Sequence, residues 1–268
     1  MNIRNRTLFE ENYFEQKGKG EPIVFIHGSY ATTSAWKKMV ETLSKTHHCI
    51  LFKLPGHGGA PEPNDFSNPS IDTELNILAK VVNQLTDQPI HLVGHSYGGV
   101  VALSQALKGN LNIQQLTLFE PVAAWVLDAC HDTNMKFQVD LFIQNYRHDV
   151  SNNVPFACGQ VIDFWGGEGA FASLPDFIKE SMETLVENNI RHWDLCTDIT
   201  SSLKDIHNCQ VPTRLVYGTQ SNAVAHSIAK HLFNELPNSS VHVIQGASHF
   251  LVTSHVNECL VTLNTPIS

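Results

Sequence analysis

The sequence predicts an α/β fold: a mostly parallel sheet with helices on both faces and an α-helical cap inserted between two of its strands. Three observations predict it. Short, near-continuously apolar runs recur along the chain, as strands covered on both faces require. Helix-length stretches separate them, as crossover connections need. One long interval, 122–210, breaks that alternation. In chain order, IVFIH (23–27), CILFKL (49–54), IHLVG (90–94), LTLFE (116–120), TRLVYG (213–218) and VHVIQG (241–246) read as strands. Helices are expected over 33–44, 70–85, 97–108, 223–236 and 250–263, and PGHGGAPEPNDFSNPS (55–70) is a long loop. The interval 122–210 holds helix-like pieces at 134–147 and 176–189 and a glycine-rich turn, FWGGEGAF (164–171). The division is therefore a core of 1–121 and 211–268 with a cap of 122–210. Aromatic residues of the cap supply its own core and one wall of a pocket, for which Trp125 and Trp165 are the candidates.

The 268 residues are 42% hydrophobic and 16% charged, a globular balance. A net charge of −9 and the lack of a basic stripe argue against a nucleic-acid partner. The start, MNIRNRTLFEENYFEQKGKG, lacks the apolar run of a signal peptide, and no segment reaches the roughly 18 apolar residues of a membrane span. A cytoplasmic protein without stable membrane insertion is expected. The six cysteines form no C-x-x-C pair and read as reduced thiols. The histidines show no ligand spacing, so no metal is expected.

Gly94-His95-Ser96-Tyr97-Gly98 carries the strongest chemistry. This G-x-S-x-G lies between an apolar run, IHLV, and a helix-like one, VVALSQALK. A serine in a sharp strand-to-helix turn sits on strained backbone, and glycine neighbours let the turn close. The turn lifts the Ser96 hydroxyl to the sheet edge, beside the positive end of a helix.

On this motif and its setting the chain resembles the α/β-hydrolase superfamily over nearly its whole length outside the cap. The resemblance implies an oxyanion hole built from the backbone N–H groups of Ser29, in IVFIHGS, and of Tyr97. It reads LPGHGGAP (54–61) as the family's Asp-x-Pro-Gly-His-Gly-x-Ser loop, with Lys53 or Leu54 where aspartate is usual and Ala60 where serine is usual. His27 and His57 are then loop-organising residues. Gly246-Ala247-Ser248-His249 resembles the late Gly-x-x-His, which makes His249 the general base, with His255 a weaker rival.

The acid is the unusual part. Most of the superfamily carries it just after the strand that is TRLVYG here, where this chain has Ser221 and Asn222. Members resembling haloalkane dehalogenases carry it one strand earlier, and LTLFEP ends in Glu120. Neighbouring strand ends lie about 5 Å apart, so Glu120 can reach His249. Glu120 is therefore the expected acid; an acid at this strand end can also serve as an anchor for backbone N–H groups beside the cap. Asp194, Asp198 or a dyad without an acid are the alternatives, with Asp128 and Asp163 behind them.

The resemblance thus implies a serine hydrolase that needs no cofactor and cleaves a carboxylester-like bond of a small, mainly apolar molecule through an acyl-enzyme. Dehalogenases and epoxide hydrolases of this fold carry aspartate at the elbow, so their chemistry is not expected. A non-hydrolytic or C–C bond-cleaving use of the same triad, and a ligand-binding receptor-like module, are the alternatives.

Overall fold

The computed structural model describes residues 11–199 and 201–267. Seven strands form one sheet: β1 (Phe14–Lys17), β2 (Glu21–Ile26), β3 (His47–Phe52), β4 (Ile90–His95), β5 (Ile113–Phe119), β6 (Thr213–Gly218) and β7 (Ser239–Ile244). Their order is β1-β3-β2-β4-β5-β6-β7, parallel throughout except for β1, which runs antiparallel to β3. The sequence reading does not include β1. Its residues FEQK lie at the sheet edge and three of the four are exposed, so no apolar run marks it.

Strand side chains alternate between two cores. Val24 and Ile26 face one core with α2 (Asp72–Leu85), α3 (Tyr97–Lys108) and α10 (Ala223–Glu235). Ile23 and Phe25 face the other, with α1 (Lys37–Leu43), α11 (Leu251–Ser254) and α12 (Val256–Asn264). The period-2 pleat thereby gives both faces an apolar lining, which explains the continuous apolar runs. From β2 the connections run outward to β3 and then back across to β4. The crevice between the carboxyl ends of β2 and β4 is therefore a topological switch point, where ligands of open α/β sheets bind.

Between β5 and β6 the chain forms α4 (Trp125–Ala129), α5 (Thr133–Ser151), α6 (Cys158–Gly166), α7 (Asp176–Glu183), α8 (Val186–Thr197) and α9 (Leu203–Asn208). Asp132 caps α5, accepting from the Met135 amide at 3.2 Å. Its second oxygen lies 3.1 Å from His231 Nε2 on α10, tying the insertion to the core. The single helix expected over 176–189 is instead two helices, with α8 running on to Thr197. Buried Asn188, Asn189, Arg191 and His192 interrupt the apolar stripe by which α8 would have been recognised. Among the described residues no helix is long and apolar enough to cross a membrane, and the six cysteines are unpaired.

Candidate active site

Ser96 sits between β4 and α3 with φ 56° and ψ −125°, a conformation that costs an L-residue on the order of 1–3 kcal/mol. The packing around the elbow over-determines it. The Ser96 amide donates to the Phe119 carbonyl at 3.1 Å, and a Cβ on Gly98 would collide with the carbonyls of Ile26 and His27. Only glycine lets α3 begin this close to β2.

His249 lies in the turn between β7 and α11. Its Nε2 is 3.1 Å from Ser96 Oγ and its Nδ1 is 2.8 Å from Glu120 Oε2. A carboxylate can only accept, so Nδ1 carries the hydrogen and Nε2 is left to accept from serine. The ring stacks on Trp165 of α6, with centroids 5.2 Å apart. Its backbone is held by His95, whose Nε2 donates to the His249 carbonyl at 2.8 Å. Burial, reinforced by the neighbouring His249, pushes the His95 pKa down to about 3, so that bond is made by a neutral ring.

Glu120 follows β5 with φ 43°, a left-handed kink that turns its side chain along the sheet edge. It is 1% exposed. Its Oε1 accepts from the Gly218 amide at 2.8 Å and from the Ser221 hydroxyl. Burial alone would raise its pKa, but the bond to His249 and the two at Oε1 outweigh it and hold the carboxyl below its usual value. Among the described residues none of the other acids considered is hydrogen-bonded to His249. Asp194 pairs with Arg147 at 2.6 Å, Asp163 accepts from the Phe171 amide at 2.7 Å, and Asp198 faces a surface depression with Asp72 and Lys108. His255 hydrogen-bonds its neighbour Ser254.

Ser29 lies in the turn after β2, and Tyr97 opens α3. Among the described residues no acceptor takes up either backbone N–H. The Ser29 turn crosses directly over Ser96, since a Cβ on Gly28 would stand 3.0 Å from Ser96 Cβ. His27 and His57 are both fully buried in the loops they organise, His27 accepting from the Leu54 amide at 3.3 Å.

Ser96 and His249 open onto a cavity of about 310 Å³ between the sheet edge and the insertion. Val122, Ile162, Trp165, Leu174 and Phe250 give it an apolar wall, and Asn189, His192 and Thr253 are among its polar lining residues. No Lys, Arg, Asp or Glu lines it among the described residues. Trp165 is thus a wall of the cavity. Trp125 is not: α4 turns it into the core shared with α3 and α10, where it is 6% exposed. The site also takes in His95 and His192, neither of them among the residues expected from the sequence. The x of G-x-S-x-G could have marked His95; nothing in the sequence marked His192.

The strained Ser96 turn stands at the switch point of a parallel α/β sheet, with His249 beside it and the buried Glu120 carboxylate behind. The chain belongs to the alpha/beta hydrolase family, whose family profile matches residues 23–259. It is 20% identical to a cis-3-alkyl-4-alkyloxetan-2-one decarboxylase of Shewanella oneidensis, over 92% of this chain and 82% of that one. It is 23% identical to monoacylglycerol lipase ABHD6 of Bos taurus, over 94% of this chain and 78% of that one. Other relatives are longer: the chain spans 13% of the protein PHYLLO of Arabidopsis thaliana. Among solved structures it superposes on an esterase from Exiguobacterium antarcticum with a TM-score of 0.73 at 19% identity, covering 94% and 93% of the two chains. A bromoperoxidase from Bacillus anthracis gives 0.74 at 20% identity, covering 93% and 92%.

Proposed function

We propose that the protein is a serine hydrolase cleaving a carboxylester-like bond of a small, neutral, mainly apolar substrate through an acyl-enzyme. The observation that carries this reading is the hydrogen-bonded chain Glu120–His249–Ser96 ending at an uncharged, apolar cavity. Ser96 Oγ attacks the carbonyl carbon as its proton passes to His249 Nε2. Glu120 stabilises the imidazolium, and the Ser29 and Tyr97 amides receive the oxyanion. His249 then protonates the leaving alcohol, and water releases the acyl group by the same steps. The inserted helices, 122–210, act as the cap that shapes acyl preference. No cofactor takes part.

A fluorophosphonate and a panel of p-nitrophenyl esters of increasing acyl length test the proposal. Labelling confined to Ser96 and hydrolysis of at least one ester are expected. Labelling without turnover of any ester would move the assignment to another use of the triad, such as C–C bond cleavage. The relatives named as a decarboxylase and a bromoperoxidase make that arm of the experiment necessary. Absence of labelling would sink the reading.

A further inference from the structure

Two adjacent residues of α8 grip both turns that carry the proposed oxyanion amides. His192 Nδ1 is hydrogen-bonded to Ser29 Oγ at 2.8 Å. The same ring lies flat on the Tyr97 ring, with centroids 3.7 Å apart and planes 11° from parallel. On its other side it stacks against His57 at 5.3 Å, and His57 Nε2 meets the Ser29 carbonyl. Arg191 reaches Tyr97 indirectly. It donates to Glu74 at 2.5 Å and to Asp65 at 2.6 Å, and Glu74 accepts from the Tyr97 hydroxyl at 2.9 Å.

We infer that His192 is a positioning residue: through Ser29 Oγ and the Tyr97 ring it aims the two backbone N–H groups at the carbonyl oxygen, so the oxyanion site is complete only when α8 is seated. The inference rests on the acyl-transfer reading above. Packing alone accounts poorly for a histidine here. The ring is 1% exposed, its Nε2 has no partner among the described residues, and burial holds it uncharged. A phenyl ring would fill the same place without leaving a buried nitrogen unsatisfied. What phenylalanine lacks is the bond to Ser29. Oxyanion donors act only when fixed where charge develops, so a loosened turn weakens the transition state and leaves substrate binding intact.

Three variants separate positioning from packing. His192→Phe keeps the stack and removes the bond. His192→Asn restores a hydrogen-bonding atom near the Nδ1 position and gives up the stack. Ser29→Ala removes Oγ and keeps the amide. Each is assayed for kcat and KM on p-nitrophenyl butyrate and for inhibition by a trifluoromethyl ketone. That ketone adds Ser96 Oγ to its carbonyl carbon, sends the serine proton to His249 and leaves a hemiketal oxyanion. His192→Phe should lower kcat about 10- to 100-fold, less than outright deletion of a donor. The ketone should weaken by the same factor while KM changes little. His192→Asn should recover the part of the loss carried by the Ser29 bond, and Ser29→Ala/His192→Phe should be no worse than either single variant. Unchanged kcat and ketone affinity in His192→Phe would overturn the inference. So would additive losses that His192→Asn does not rescue. If His192→Phe fails to fold, Ser29→Ala and His192→Asn decide by the same two readouts. A wild-type protein that neither takes the fluorophosphonate nor binds the ketone refutes the acyl-transfer reading, and the inference falls with it.

Discussion

Replacing Glu120 with glutamine exchanges one carboxylate oxygen for an amide nitrogen and changes little else in volume. The surroundings make that exchange severe. Oε1 accepts from the Gly218 amide and the Ser221 hydroxyl, and Oε2 accepts from His249 Nδ1–H. Glutamine has one acceptor oxygen, so in either orientation its NH₂ faces a donor. Turned toward β6, it opposes a backbone N–H that cannot rearrange. Turned toward His249, it opposes a ring that can change tautomer, so this orientation wins. His249 then carries its hydrogen on Nε2, presents it to Ser96 and can no longer accept the serine proton. The charge that would stabilise the imidazolium is lost as well. On the proposed acyl-transfer reading, Glu120→Gln should lower kcat by about 10⁴, equivalent to roughly 5 kcal/mol of barrier. The folding cost should be that of a few perturbed buried hydrogen bonds, about 1–3 kcal/mol. Steady-state hydrolysis of p-nitrophenyl butyrate and urea unfolding of the same variant measure the two separately. Glu120→Gln retaining activity within about tenfold of wild type, or Asp194→Asn or Asp198→Asn abolishing it, would refute the assignment.

Other outcomes follow from the same geometry. Ser221→Ala removes one donor from a carboxylate that keeps two, so kcat should fall far less than in Glu120→Gln and the pH–rate profile should move only slightly. Trp165→Phe enlarges the cavity and should shift the ester panel toward longer acyl chains, whereas Trp125→Ala should cost about 3–5 kcal/mol of stability with the chain-length order unchanged. An unchanged order in Trp165→Phe would count against its place in the cavity wall. Arg191→Met leaves Asp65 and Glu74 without their cation and should destabilise the fold by about 3–5 kcal/mol in urea unfolding. Stability should also fall with acid. His27 and His95, buried away from water, have folded pKa values of about 3 against 6.5 for the exposed ring. Between those values the unfolded chain binds protons that the fold does not. Their contribution is therefore complete above pH 6.5 and is lost as pH falls toward 3, at about 1.4 kcal/mol per unit for each ring. A urea midpoint that stays flat from pH 7 to pH 5 would contradict this.

The sheet was legible because burial on both faces writes continuous apolar runs into the five interior strands, β2 to β6, and the edge strand β7 carries the run VHVIQG as well; β1 was invisible because its FEQK, with three of four residues exposed, holds no such run. Ser96 and His249 were legible for a related reason: each stands at a junction whose shape demands particular neighbours, glycines around the elbow and a strand end before the histidine. His192 and Arg191 had no such signature. Their partners Ser29, Asp65 and Glu74 lie far away in sequence, and only the folded crossing of α8 over the sheet edge brings them together. Trp125 was misplaced for the opposite reason. Composition puts it in the insertion beside Trp165, but direction along a helix decides which faces the cavity, and α4 turns Trp125 inward.

The acid shows how the two kinds of information join. TRLVYGTQSNA ends a strand and offers no carboxylate, which in isolation describes a site with its charge deleted. In the fold β5 and β6 are neighbours, and the chain leaves β5 through a left-handed Glu120. Its side chain then lies across the end of β6. The strand without an acid still takes part: Gly218 and Ser221 both donate to Oε1 and hold the carboxylate so that Oε2 faces His249. A serine where the superfamily usually carries its acid is thus matched to a glutamate from the strand beside it. The two positions form one unit, so their substitutions should be non-additive. Adding Ser221→Ala to Glu120→Gln should cost almost nothing further in kcat, because the hydroxyl serves only to fix a charge that is already gone.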